Sequence, residues 1–212
     1  MSQYKPKDIV LLENIRFYPQ EKKNKQNFAK RLSLLADIFV NDAFGVCHRA
    51  HASVIGITEF LPSVAGLLLE KEIRVISQAV DCPKKPLVVI IGGAKLEDKI
   101  RMIGRLIDKA DYCLIGGKAG SAFLKVKKGR IDNFSISKET RSLIKKLFWR
   151  ALASRTALVL PADVIKDNNR VLDIGFQTRK KFSQIIKRAK TIIRVGPMGF
   201  YYFNSICNQR ES

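Results

Sequence analysis

The sequence predicts an α/β fold, a parallel sheet with covering helices, and three observations carry that expectation. Apolar runs recur at Ile9–Leu12, Asp37–Val40, Leu87–Ile91, Tyr112–Ile115, Ala157–Leu160 and Thr191–Val195, and helical patterns separate most of them. Such alternation builds parallel strands joined by helices. The run LVVII at 87–91 is continuously apolar, as expected of a strand buried on both faces. The same strand, Gly-Gly turn and helix start occur twice, as LVVIIGGAKLEDK (87–99) and DYCLIGGKAGSAFLK (111–125).

Taken in chain order, Ile9–Leu12 runs directly into Glu13-Asn14-Ile15-Arg16-Phe17, and Asp37–Val40 runs into Asn41-Asp42-Ala43. If those first two strands are neighbours, Arg16 and Arg49 emerge at one sheet edge, beyond the carboxyl ends where α/β sheets hold ligands. A helix is expected over Val64–Val80, bounded by Pro62 before it and by Pro83 and Pro86 after it. Residues 1–63 then form one unit, 64–85 an interdomain helix and linker, and 86–212 a second unit. Two strands and two helices in the first unit make a marginal core. The stretch from Tyr202 onward has no periodicity and is expected to fray.

Composition narrows the function classes. Hydrophobic residues make up 46% and charged residues 27%, ordinary for a globular protein that buries a core. Cys47, Cys82, Cys113 and Cys207 form no CxxC pair, so reduced cytosolic thiols and a cytoplasmic location are expected rather than a zinc cluster or disulfide framework. No apolar stretch approaches a membrane span. The 39 Lys+Arg against 19 Asp+Glu give a net charge of +20, which raises nucleic-acid binding. The basic residues are scattered over KKNK (22–25), KVKK (125–128), RKK (179–181) and KRAK (187–190) without interleaved aromatics. A solvated lysine-rich surface that steers small polyanions is favoured.

Lys95 and Lys99 at the start of a helix point to phosphate, since the first helical turn offers unpaired N–H groups and the positive end of the dipole. Neither Gly-Gly copy is a P-loop or a GxGxxG loop, so a plain tight α/β connection is the competing reading. Between Val40 and Gly56, His48, Arg49 and His51 crowd together; no third ligand supports a metal, and Arg49 suits an oxyanion clamp. A surface turn is the bland alternative for this loop, and a surface salt bridge the bland alternative for Arg16. Asp163 and Asp173 sit near strand ends, where capping and turn formation are commoner than metal or water activation. Nothing suggests a covalent nucleophile, and no metal ligands are assigned.

Assembled, these stretches resemble the phosphoglycerate kinase family. ENIRF (13–17), NDAFGVCHRAH (41–51), AGLLLEKE (65–72), IIGGAKLEDK (90–99), LIGG (114–117), LPADV (160–164), LDIG (172–175) and GPMG (196–199) occur in the family's order. The resemblance implies Rossmann-like parallel sheets in a partial two-domain architecture, an amino-terminal domain for phosphoglycerate and a carboxy-terminal one for nucleotide. It implies phosphoryl transfer between ATP and 3-phosphoglycerate, yielding 1,3-bisphosphoglycerate and ADP with Mg2+, by positioning and charge neutralisation.

By the same resemblance, Arg16, Arg49 and His48 match substrate-anion residues, with Arg16, Lys95 and Lys99 in catalytic roles. Lys95, Lys99, Gly92, Gly93, Gly116 and Gly117 match the nucleotide site, Leu172 an adenine wall, and Gly196 with Pro197 a loop near hinge and nucleotide. The match implies a partial member that lacks the start of the substrate domain and the end of the nucleotide domain, including the magnesium loop. Within the span, Val195, Tyr202, Lys118 and Val171 stand where the family has Asn, Glu, Gly and Gly. Weak or absent activity in the isolated chain follows, with a separate polypeptide supplying the missing half, a non-catalytic remnant with residual nucleotide binding, or a nucleic-acid-binding protein as the other readings.

Overall fold

The structure, a computed structural model, describes residues 5, 7–129, 135–167 and 170–199. The expectation for the tail from Tyr202, and the substitution at Tyr202 itself, lie outside the described residues. The chain divides into two compact units, the first ending at Ile76 and the second beginning at Ser77.

The first unit opens with extended residues and a 3-10 turn at Ile15–Phe17, which the Asn14 side chain caps by accepting from the Arg16 N–H at 3.1 Å. Two short helices follow, α1 (Pro19–Lys22), started by proline in its first turn, and α2 (Gln26–Ser33). Strand β1 (Phe39–Asn41) pairs in parallel with β2 (Ser63–Ala65), and α3 (Leu67–Asp81) begins directly after Gly66. Between the strands run 3-10 turns at Phe44–Val46 and Gly56–Glu59. Buried apolar residues here are few: Ala29, Ala52, Ile57 and Leu69.

Two expectations fail in this unit. Ile9–Leu12 is not a strand; Ile9 and Leu11 are 98% and 95% exposed, and β1 takes β2 as its partner instead. Apolar β-branched residues favour a strand only when a neighbour accepts their backbone hydrogen bonds and covers their side chains. The stretch at 63–65 is strand rather than helix, because Asn41 O receives the Gly66 N–H at 2.8 Å and extends the parallel ladder to the helix start. The observed β1 is also shifted two residues from Asp37–Val40.

The second unit is built on β3 (Leu87–Ile91), buried throughout as its unbroken apolar run requires. Helix α4 (Leu96–Leu106) leads to β4 (Tyr112–Ile115), then α5 (Gly117–Lys128), α6 (Lys138–Ala153) and β5 (Ala157–Val159). An antiparallel hairpin, β6 (Val164–Asp167) with β7 (Arg170–Ile174), precedes α7 (Phe176–Ile186) and β8 (Thr191–Val195). The four-stranded sheet has the order β5-β4-β3-β8 and is parallel throughout.

Strand alternation splits its core in two. Leu87, Val89, Ile91, Cys113 and Ile115 pack with Ile103 of α4, Phe123 of α5 and Ile144 of α6 on one face. Val88, Ile90, Leu114 and Val159 meet Ile174 of β7 and Phe182 of α7 on the other. The β6–β7 hairpin is absent from the sequence expectation, since its half-exposed residues carry no continuous apolar signal.

Candidate functional site

Three loops interlock beyond the carboxyl ends of β3, β4 and β8. The Gly92 N–H donates to Val195 O at 2.9 Å, Gly116 N–H to Ile91 O at 2.8 Å, and Gly117 N–H to Met198 O at 3.0 Å. A side chain at Gly92 would collide with the Pro197 carbonyl, and one at Gly116 with the Met198 sulfur. At Gly117, with φ +54°, a Cβ would lie 2.7 Å from the Gly93 nitrogen. Gly196 fits against Gly92 in the same way. These glycines therefore serve close packing of loop on loop, with Pro197 and Met198 as the lid of the interlock.

Lys95 is the N-cap of α4 rather than part of the helix, and Lys99 lies in its first turns. The Lys99 side chain folds back over Gly93: its Cε is 3.2 Å from where a Gly93 Cβ would be. Beside this helix start opens a cavity of about 430 Å³, lined by Ala94, Lys95, Leu96, Lys118, Ile136 and Ser137 among others. Lys118, which stands at the third position after Ile115, is thus a cavity residue, and its N–H donates to Gly93 O at 3.3 Å. Leu172 is half-buried in β7, the strand that runs beside α5.

In the first unit Arg16, His48 and Arg49 are all exposed. Arg16 rides on the 3-10 turn at Ile15–Phe17, and the Arg49 N–H is held by Val46 O at 2.9 Å. His51 differs from its neighbour His48: it turns inward, with Nδ1 3.5 Å from Oε1 of buried Glu21.

Asp163 and Asp173 spend their carboxylates on the backbone. Asp163 accepts from the Gln177 and Thr178 N–H groups at 2.9 and 2.7 Å and from the Thr178 hydroxyl at 2.6 Å, so it caps α7 from across the hairpin. That hydroxyl, more than the two N–H groups, holds the Asp163 carboxyl below the usual range against a desolvation that pushes it up. Asp173 accepts from the Ile174 N–H at 2.7 Å. Among the described residues no group of three or more His, Cys, Asp or Glu side chains could hold a metal ion. The described carboxylates therefore do not fit a protein-held magnesium.

The family model of phosphoglycerate kinase matches residues 1–208, nearly the whole chain. The chain belongs to the phosphoglycerate kinase family. It is 36% identical to the phosphoglycerate kinase of Pelotomaculum thermopropionicum, with 100% of this chain and 59% of the relative covered. Against that of Clostridium botulinum it is 40% identical over 95% of this chain and 56% of the relative. Among solved structures, phosphoglycerate kinase from Coxiella burnetii superposes with a TM-score of 0.73 at 31% identity, covering 92% of this chain and 56% of that one. The enzyme from Pyrococcus horikoshii gives 0.74 at 26% identity, covering 94% and 57%. The chain thus spans just over half the length of the phosphoglycerate kinases it matches.

Two residues of this phosphoglycerate kinase family member escape a motif reading. Asp42 accepts from the Leu69 N–H at 2.8 Å and so caps α3, while Gly66 leaves no room for a Cβ beside that carboxylate. Glu21 holds residues 51–53. Asp42 had a visible signal, an acidic residue just past a strand, whereas Glu21 looks like one more charge in a polar helix.

Proposed function

We propose that the chain carries two phosphate-handling regions of a phosphoglycerate kinase, the reaction being reversible phosphoryl transfer between ATP and the carboxylate of 3-phosphoglycerate. In this reading residues 1–63 belong to the phosphoglycerate domain, 64–85 link the domains, and 86–212 belong to the nucleotide domain. The observation that carries it is the junction of the β3, β4 and β8 loops, where Lys95 and Lys99 stand at a helix start beside the 430 Å³ cavity.

The chemistry needs no nucleophilic side chain. Lys95 and Lys99 neutralise phosphate oxygens as charge spreads over the moving group, and the start of α4 adds its dipole. Gly92, Gly93, Gly116, Gly117, Gly196 and Pro197 form the backbone wall of the nucleotide site, and Leu172 supplies an apolar side for the base. Arg16, Arg49 and His48 hold the phosphoglycerate anions. Any magnesium would come with the nucleotide as its counter-ion rather than be held by the described carboxylates.

Turnover by this chain alone is weak. Residues 1–212 span just over half the length of the phosphoglycerate kinases they match, and a transition-state contact made elsewhere in such an enzyme supplies about 2–4 kcal/mol. Adding the remaining family segments in trans is expected to raise turnover. Titration calorimetry with ADP tests the nucleotide half: micromolar binding that Lys99→Ala weakens by about tenfold or more supports it. Absence of ADP binding sinks it, and binding indifferent to both lysines moves the nucleotide elsewhere. The presence of Lys118 in the cavity lining favours one rival, a remnant that binds nucleotide without catalysis. Turnover in a coupled assay after adding the complementary half excludes that rival.

A further inference from the structure

A buried carboxylate that the proposed chemistry does not use lies between the turn that carries Arg16 and the segment that follows Arg49. The Glu21 side chain is 2% exposed. Its Oε2 accepts from the Ser53 N–H at 3.0 Å and its Oε1 from the Ser53 hydroxyl at 2.6 Å, with His51 Nδ1 3.5 Å away. The backbone adds a parallel tie, Ala52 N–H to Glu21 O at 3.0 Å. Burying a carboxylate is costly unless donors surround it, so this arrangement must hold segment 51–53 in one place.

On one side Glu21 leads back to Arg16 through a continuous set of tight turns: Tyr18 N–H to Ile15 O and Glu21 N–H to Tyr18 O, both 3.1 Å. On the other, the Arg49 carbonyl receives the His51 N–H at 3.0 Å, so the Glu21 anchor begins two residues past the arginine. The loop's opposite end is pinned too. Asn41 Oδ1 accepts from the Ala43 N–H at 3.0 Å, and Asp42 is tied to α3.

Residues 42–45 and 47–50 between these anchors are exposed. Their geometry depends on the ends. An exposed arginine that must be ordered on binding loses affinity to entropy, and pre-setting its backbone removes part of that loss.

We propose that Glu21 is a positioning residue: by locking Ser53 and His51 onto α1 it sets the Arg49 loop relative to the Arg16 turn, so that both arginines serve one anion. The proposal rests on the reading of Arg16 and Arg49 as substrate-anion residues. Glu21 itself touches no substrate.

The test uses the full chain labelled with 15N and titrated with inorganic phosphate. The chain has two histidines, so the imidazole signals of His48 and His51 separate inward from outward positions. Phosphate is expected to shift His48, with Arg49→Ala abolishing the response. In Glu21→Gln, exchange of the Ser53 amide accelerates, phosphate affinity falls by about tenfold, and exchange in β3 is unchanged. Ser53→Ala, which removes only the hydroxyl partner, moves both readouts in the same direction and serves should Glu21→Gln fail to fold. Faster Ser53 exchange with unaltered phosphate affinity overturns the positioning role while leaving the anion site standing. Unaltered exchange in both variants overturns the lock itself. If the wild-type chain binds no phosphate near His48, the anion-site reading falls and the positioning role with it, whatever the exchange data say of the lock.

Discussion

The two units reach order by different means. In the second, five consecutive residues of β3 are buried, and helices cover both faces of the sheet with Ile103, Phe123, Ile144 and Phe182. In the first, four apolar residues are buried among those described, while Ile9, Leu11 and Leu67 stand 98%, 95% and 85% exposed. Its organisation comes instead from carboxylates: Glu21 gathers Ser53 and His51, and Asp42 caps α3. Apolar burial scales with area and needs a large shared interior, whereas a charge-assisted hydrogen bond fixes a specific pair of segments with little area. The second unit is thus held by its core and the first by its polar ties.

Truncation in the two units is the strongest way to break that contrast. Phe123→Ala removes a fully buried ring and is expected to cost about 3–5 kcal/mol in urea unfolding followed in the second unit. Leu11→Ala and Leu67→Ala are expected to stay within about 0.5 kcal/mol. A loss from Leu67→Ala approaching that of Phe123→Ala ends the comparison.

A glycine pair sharpens it at smaller cost. Gly92→Ala forces a methyl into the Pro197 carbonyl and is expected to destabilise by about 1–3 kcal/mol. Gly45→Ala, with nothing within 4 Å of its Cβ position, should be neutral or slightly stabilising in the same melt.

The smallest effects concern protons. Because the folded-state Asp163 carboxyl lies below its usual range, its contribution is present above that range and lost as acid carries the pH down through the folded value. Asp163→Asn should flatten the acid limb of the second unit's stability, and an unchanged limb refutes the capping role. Burial pushes the Cys113 thiol up to about 12, so it stays protonated and resists alkylation near pH 8, while exposed Cys47 and Cys82 react. Native-state labelling of Cys113 at the rate of Cys82 would contradict the buried core.

Much of the second unit was legible in advance. The strands at 87–91, 112–115 and 191–195 match their apolar runs: 87–91 is buried on both faces and advertises itself without reference to neighbours, while the half-exposed edge strand 191–195 is marked by its β-branched residues. The first unit was less so: Ile9–Leu12 reads as strand by composition, yet a strand exists only where another accepts its hydrogen bonds. The β6–β7 hairpin, half-exposed and bulged between Ile165 and Lys166, gave no such signal. At the candidate site, the glycines and lysines were visible as a motif, but the close approach of the glycines is to Pro197, Met198 and Gly93.

The sequence by itself determined the parallel α/β class of the second unit, the family, and the placing of Lys95 and Lys99 at a helix start, because periodicity, motif order and helix polarity are properties of short stretches. Only the tertiary structure decided that Asp163 caps α7, that Asp42 caps α3, that the glycines serve an interlock of three loops, and that Glu21 holds His51 and Ser53. Each of those joins residues separated by many positions, and such distances are fixed by the packed chain rather than by any local pattern.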